Sequence, residues 1–417
     1  MEKRGGPLKL CMISSEYPPK WGGVGVCSYY LSTWMAKRGH EVHVITRKQG
    51  IGYDASHPNI HIHPVNWLKA PLLFTLSFGK NAVKWMEGSG IDFDLVHIHS
   101  NMALIPRSHY SRIKAPVVST MHGTWWGERS TISLKDLSFS IQAVNDLAIL
   151  YAGPFFDRYE DMALELSNAV IIESNSECRD ISKRGITNRY DRTIKLPPGI
   201  DTEEFAPTKA DPALREELGL KEDDRLLCSV GRWAARKGIR EVLSVFEKVH
   251  SKDKDTSLCL VGWGPLEGEI RSRIRKKGLT GRIRTFRSLP FKKMQTLVAT
   301  SDLALFHSYW EGFGLTVGEA LSSGTPVVAT DVGGAPEMVK EGWGTLVKVG
   351  DVDGQAKAVL ELLKRQDLSD LGAKGREHII KGYSWDMVSK KTQEYYDWVV
   401  QDPQNEEGWR SGFERCV

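Results

Sequence analysis

Short β-rich runs alternate with helical stretches along almost the whole chain, and no other feature restricts the fold so strongly. LKLCMIS is followed by CSYYLSTWMAKRG and EVHVIT, then by DLVHIHS, APVVSTMHG and AVIIESN. Parallel strands need a long crossover between the end of one and the start of the next, and a helix is the usual crossover, so this alternation predicts parallel sheets covered by helices. The second half repeats the style in RLLCSVG, TSLCLVG, RIRTFRS, LALFHS and TPVVATD. A chain of 417 residues is long enough for two cores. The expected class is therefore α/β, with two doubly wound lobes.

Between the lobes stands KLPPGID, positions 195 to 201, where two prolines and a glycine cannot continue a helix. The first domain is expected over residues 1–199 and the second over 200–380. The aromatic-rich YSWDMVSKKTQEYYDWVV predicts a helix over 381–400 that crosses back to the first lobe, followed by a polar tail over 401–417.

Composition removes several classes of function. No segment approaches the ~20 apolar residues that cross a bilayer, and MEKRGGPLKLCMIS runs into a strand pattern with no secretory leader. A cytoplasmic location is expected. Residues 66–88, NWLKAPLLFTLSFGKNAVKWMEG, mix aromatic and aliphatic groups with lysines, as peripheral helices at the inner face of a membrane do. Burial of that helix against its own sheet is the stronger reading. A net charge of +4 is too small to argue for nucleic acid. The six cysteines (Cys11, Cys27, Cys178, Cys228, Cys259, Cys416) form no CxxC, and four lie in apolar or strand-like runs, which reads as reduced thiols in a core.

In open parallel sheets ligands collect beyond the carboxyl ends of strands, so the residues after each predicted strand are the candidates. Gly22, Gly23 and Gly25 in KWGGVGV permit close backbone approach and open a helix toward an anion. A dinucleotide is not expected, because the third glycine of GxGxxG is missing and the second strand ends in VITRK rather than an acid. In SVGRWAARKG, Arg232 and Lys237 offer a planar fork and a point charge for a diphosphate; a merely solvated basic surface is the plain alternative. Gly262 in VGWGP is a turn glycine that steric needs alone can explain.

EGFGLTVGE places Glu311 in a loop and Glu319 in a first helical turn beginning near Thr316. Gly314, with the free N–H groups around Leu315 to Val317, suits an anion-binding helix entry. Thr316-x-x-Glu319 also fits a capping box, which needs no ligand. HIHP (61–64) and HIHS (97–100) lack a matching cysteine or HExxH helix, so no metal is expected. His122 closes a strand in STMHG, as a site residue or as a core histidine. Trp125 and Trp126 beside it suit either stacking on a sugar or core packing.

Taken together, GGVGVCSYYL, MHG, PPGID, GRWAARKG, VGWGP and EGFGLTVGEALSSGTPVVATDVGGAPEMV resemble the retaining glycosyltransferase family 4, of the GT-B fold. The strongest part is Glu311 to Glu319, which fits that family's E-x7-E pattern, followed by the GRxxxxKG spacing. The resemblance implies two Rossmann-like lobes facing a central cleft. It also implies a UDP-, GDP- or ADP-sugar donor held mainly by the second lobe, near Gly262, with no metal and no cofactor beyond that donor. Arg232 and Lys237 would hold the diphosphate, and Glu319 would accept the ribose hydroxyls. Glu311 and the backbone of Phe313, Gly314 and Leu315 would address the donor sugar or its phosphates, with His122, Gly22 and Gly23 completing the site. A glycan or lipid-linked glycan is the expected acceptor, with Trp125 and Trp126 as its stacking surface. The rival readings are a disaccharide synthase or glycan phosphorylase of the same fold, and a non-catalytic sugar-nucleotide-binding protein.

Overall fold

The computed structural model describes residues 6–19, 22–50, 52–53, 55–70, 73–100, 103–130, 141–184, 192–208, 211–221, 223–403 and 414–416. The chain divides into two compact units. The first takes residues up to Ser130, Val144–Gly199 and Trp385 onward; the second takes Ile200–Ser384.

Seven strands of the first unit run parallel: β1 (Lys9–Ile13), β2 (Glu41–Arg47), β3 (Ile60–Val65), β4 (Leu95–His99), β5 (Val117–Met121), β6 (Ala169–Ile172) and β7 (Thr193–Lys195). Their order is β3-β2-β1-β4-β5-β6-β7, with the two-residue strand Glu414–Arg415 antiparallel outside β7. The order reverses between β1 and β4, which is where a doubly wound sheet opens its crevice.

Side chains alternate across a strand, so β1 serves two cores at once. Leu10 and Met12 pack on one face with Leu31 and Met35 from the helix Gly23–Lys37 and with Val388 and Tyr395 from the helix Trp385–Gln401. Cys11 and Ile13 pack on the other with Phe78, Ala82 and Val83. Those three belong to the helix Leu73–Gly88, whose inward face at Thr75, Phe78, Gly79, Ala82, Val83 and Met86 is fully used against its own sheet. Outside that face, Leu68 and Leu73 are exposed. The helix Trp385–Gln401 is tied to Gly23–Lys37 by Arg38, which bonds the Asp386 carboxylate at 3.0 Å and the Ser389 hydroxyl at 2.9 Å.

The second unit repeats the design with β8 (Arg225–Val230), β9 (Thr256–Val261), β10 (Ile283–Phe286), β11 (Leu303–Leu305), β12 (Val327–Thr330) and β13 (Gly344–Val347). All pairs are parallel, in the order β10-β9-β8-β11-β12-β13, with the reversal between β8 and β11. Leu258 and Leu260 face a core with Val242, Phe246 and Val249, a helical i, i+4, i+7 stripe of Ile239–Lys252. Cys259 and Val261 face another with Val317, Ala320 and Leu321. Each such fully buried side chain contributes roughly 1.5–3 kcal/mol. No helix among the described residues is long and apolar enough to cross a membrane.

Two of the six cysteines correct the reduced-thiol expectation. Cys178 and Cys416, 238 positions apart, form a disulfide that ties the Glu414–Arg415 end to the helix Asn175–Lys183. Cys11, Cys27, Cys228 and Cys259 are free and buried.

Candidate functional site

In the second unit the carboxyl ends of β8 and β11, on either side of the order reversal, carry the groups singled out in the sequence. β8 ends at Val230, and the chain turns through Gly231 and the exposed Arg232 into a short 3-10 turn, Ala235–Lys237. Gly238 closes that turn at φ 59°, and a Cβ there would stand 1.8 Å from the His307 carbonyl oxygen. Only glycine lets the Lys237 turn lie directly on the loop that follows β11.

The result is a paired cation and anion. Lys237 Nζ donates to both carboxylate oxygens of Glu311, at 2.5 and 2.6 Å, and the Ser308 hydroxyl donates to Glu311 Oε1 at 2.7 Å. Desolvation pushes the Glu311 carboxyl upward, but the Lys237 charge and these hydrogen bonds outweigh it and hold the group below its ordinary value. Behind the pair, the Thr330 hydroxyl donates to the Ser308 carbonyl at 2.6 Å. His307 is fully buried, with Nδ1 2.5 Å from Gln355 Oε1 and Nε2 accepting from the Gly350 N–H at 3.1 Å. The loop bearing Glu311 is thus fixed from below.

Beyond Glu311 the helix Leu315–Ser322 begins at Gly314, in the left-handed region at φ 96°, ψ 57°, with no side chain capping it. The capping-box alternative is therefore wrong: the cap residue is Gly314, which has no side chain, and Thr316 already lies inside the first turn. Glu319 falls one position past that turn rather than within it. Its carboxylate has no hydrogen-bond or ion-pair partner among the described residues. It keeps some solvent contact, yet surrounding protein desolvates it enough to push its pKa up to about 7. Phe313 is a core residue, and its carbonyl accepts from the Gly334 N–H at 2.9 Å. Gly262 meets the steric explanation directly, since a Cβ would stand 1.8 Å from the Gly231 carbonyl oxygen. The same contact sets the backbone just before Arg232.

In the first unit, Gly22 is the cap of the helix Gly23–Lys37, and its N–H donates to Glu16 Oε2 at 2.8 Å. His122 follows β5 directly, and both of its ring nitrogens are engaged: Nδ1 with Glu173 Oε1 at 2.7 Å and Nε2 with His99 Nδ1 at 2.6 Å. Its side chain is 5% exposed. His99 and Glu173 sit at the ends of β4 and β6, so three neighbouring strands contribute one residue each. His97 belongs to the same buried set, bonded to Thr120 Oγ1 at 2.7 Å and to the Tyr396 hydroxyl. Desolvation drives the pKa of His97 to about 3 and that of His99 well below the usual imidazole range. Donor atoms of Cys27, His122 and Glu173 converge within 4.8 Å of one another, one of two groupings with metal-ligand chemistry among the described residues. Trp126 is partly buried on the short helix Trp125–Ser130, and the side chain of Trp125 lies outside the described residues.

Two partners escaped the sequence reading. Glu173 stands directly after AVII, where the strand-end rule would have flagged it, and Ser308 lies three residues before Glu311 with no motif of its own.

The model of "Glycosyl transferases group 1" matches residues 210–378, and that of "Glycosyltransferase Family 4" matches residues 21–204. The chain belongs to this family of glycosyltransferases. It is 28% identical over 404 residues to N-acetyl-alpha-D-glucosaminyl L-malate synthase of Bacillus anthracis, covering 93% of this chain and 97% of that one. Among solved structures, sucrose-phosphate synthase from Thermosynechococcus elongatus superposes with a TM-score of 0.75 at 21% identity, over 94% of this chain and 99% of that one. HepE from Anabaena, solved in complex with UDP and glucose, gives a TM-score of 0.68 at 18% identity, over 93% and 98%. Two parallel sheets wrapped by helices make this glycosyltransferase one of the GT-B fold.

Proposed function

We propose that this glycosyltransferase moves a hexosyl group from a nucleotide-diphosphate sugar to a glycan or lipid-linked acceptor, with retention of configuration and without a metal ion in the transfer step. The observation that carries the reading is the Lys237–Glu311 pair at the β8/β11 reversal, set beside the uncapped helix at Gly314 and the unpartnered acid Glu319. An ammonium has three donors. Two go to Glu311, and the third is left for a phosphate oxygen, while Arg232 adds a second positive group from the exposed loop. Charge developing on the departing nucleotide diphosphate is met by these cations and by the amides that open the Leu315–Ser322 helix. Glu319 takes the ribose hydroxyls, for which an acid lacking partners among the described residues is suited.

The two acids of the motif do not work as a glycosidase pair flanking one bond. Glu311 fixes Lys237 and borders the donor sugar; Glu319 holds the other end of the donor. His122 reaches a ligand only by exchanging its bond to His99 or to Glu173, so we assign it the positioning of the β5 turn. Retention is consistent with departure of the diphosphate and arrival of the acceptor on the same face of the sugar.

The test incubates the purified chain with UDP-, GDP- and ADP-sugars and acceptor panels, following nucleotide release and the anomeric configuration of the product. Release with one donor class, loss of turnover in Lys237→Ala and Arg232→Ala, and activity in the presence of EDTA are expected. Full wild-type turnover in those variants, or an inverted product, defeats the reading.

A further inference from the structure

At the amino-terminal ends of β2 and β3, opposite the strand ends that form the candidate site, three imidazoles and a carboxylate share one face of the sheet. The strands pair in the register His43↔His61 and Ile45↔His63, and alternation puts Glu41 on the same side. Glu41 Oε1 lies 2.9 Å from His43 Nε2 and 3.8 Å from His61 Nε2, and donor atoms of the three residues fall within 4.8 Å of one another. Tetrahedral sites with bonds of about 2.0–2.2 Å space their ligand atoms about 3.4 Å apart. The cluster needs only small side-chain shifts to meet that spacing. The His61 contact is too long for a hydrogen bond, so this imidazole converges on the carboxylate without bonding it.

Two outer contacts suit a metal ligand set. His43 Nδ1 lies 2.9 Å from His63 Nε2, and the His63 ring is itself stacked on Trp85 at 4.1 Å between centroids. A proton on His43 Nδ1, donated to His63, leaves the Nε2 lone pair facing Glu41 and His61, the tautomer that coordination requires. Lys9 Nζ stands 3.7 Å from the other carboxylate oxygen, Oε2, and leaves Oε1 to bind through one atom. The Glu41 and His61 side chains are 44% and 45% exposed, so a cation can enter and water can take the remaining position.

We propose that Glu41, His43 and His61 form a binding site for a divalent first-row cation of the zinc type, with His63 as the outer partner that orients His43. Two imidazoles and one carboxylate are the donor set such ions favour over magnesium or calcium. Bound there, the ion clips the edge strand β3 to β2. It takes no part in sugar transfer.

The experiment uses the full chain, stripped with EDTA and returned to chelator-free buffer, titrated calorimetrically with Zn²⁺. One ion per chain is expected, with a midpoint of thermal unfolding that rises on addition and falls again with chelator. His61→Ala and Glu41→Gln should each weaken binding at least tenfold while leaving sugar transfer unchanged. Cys27→Ser, which removes a donor from the other cluster, should leave the affinity as in the wild type. Absence of stoichiometric binding, affinity undiminished in His61→Ala, or affinity lost in Cys27→Ser overturns the proposal.

Discussion

Glu319 is a carboxyl whose surroundings favour the neutral form, and this gives its behaviour with pH a definite sign. Its pKa is raised by desolvation to about 7 in the folded chain, above the ordinary glutamate value of 4.5. The folded state therefore holds a proton that the unfolded state releases, and stability falls as pH rises from about 4.5 through about 7. Glu319→Gln removes that loss. The variant should unfold at a higher temperature than the wild type at pH 8, by an amount equivalent to about 1–2 kcal/mol once the screening of its remaining solvent contact is allowed for, with the difference vanishing at pH 4.5. Ribose hydroxyls donate to the charged form, so donor affinity in the wild type should improve as pH rises through about 7 and should lose that dependence in the variant.

Lys237 and Glu311 form a coupled pair. Lys237→Met leaves a largely enclosed carboxylate whose remaining hydrogen bond among the described residues comes from the Ser308 hydroxyl, and turnover is expected to drop about 10²–10³-fold with a stability loss of roughly 2 kcal/mol. Adding Glu311→Gln should recover most of the stability and none of the turnover, a non-additivity that a double-mutant cycle measures. Both residues could be read from sequence because their spacing within strand-end loops is local. Ser308 carries no motif of its own, and Glu173, although its place at a strand end was visible, gains its partner His122 only through the fold, 51 positions away. The capping-box reading failed for a related reason: the chain starts the helix from the left-handed Gly314, and no side-chain pattern reports that φ.

Among the elements, the Ala235–Lys237 turn is one of the tightest joins. Gly238→Ala introduces a Cβ where the His307 carbonyl oxygen stands 1.8 Å away, in a residue at φ 59°. A loss of at least 2–3 kcal/mol is expected, seen as a lower denaturant midpoint, together with weaker donor binding because Lys237 is displaced. Most strands inside both sheets were legible because buried parallel strands read as short apolar runs bounded by turns, the three-residue β7 excepted. β3 was not. Its sequence IHIHPV alternates the exposed His61 and half-buried His63 with apolar residues and carries Pro64, as an edge strand can, so its histidines invite a ligand reading before a strand reading. Glu414–Arg415 is too short to have a period at all.

At the level of the chain, the Cys178–Cys416 bridge joins residues 238 positions apart. Pairing of that kind follows from no spacing rule, because connectivity cannot be deduced from cysteine positions alone. Reduction, or Cys178→Ser with Cys416→Ser, should lower stability by about 2–4 kcal/mol. The check is the unfolding midpoint with and without a thiol reductant, which should differ in the wild type and coincide in the double variant.

The helix Trp385–Gln401 supplies Trp385, Val388, Tyr395 and Tyr396 to a core that otherwise comes from the first 200 residues. During synthesis the unit that starts first is consequently finished last. Leu31, Met35 and the apolar side of β1 emerge from the ribosome and wait for their cover until nearly the entire chain has been made, while Ile200–Ser384 can close around its own core in the interval. A chain stopped after Ser384 should therefore be recovered as aggregate or bound to chaperones, and co-expression of 385–417 as a separate peptide should return part of it to the soluble fraction.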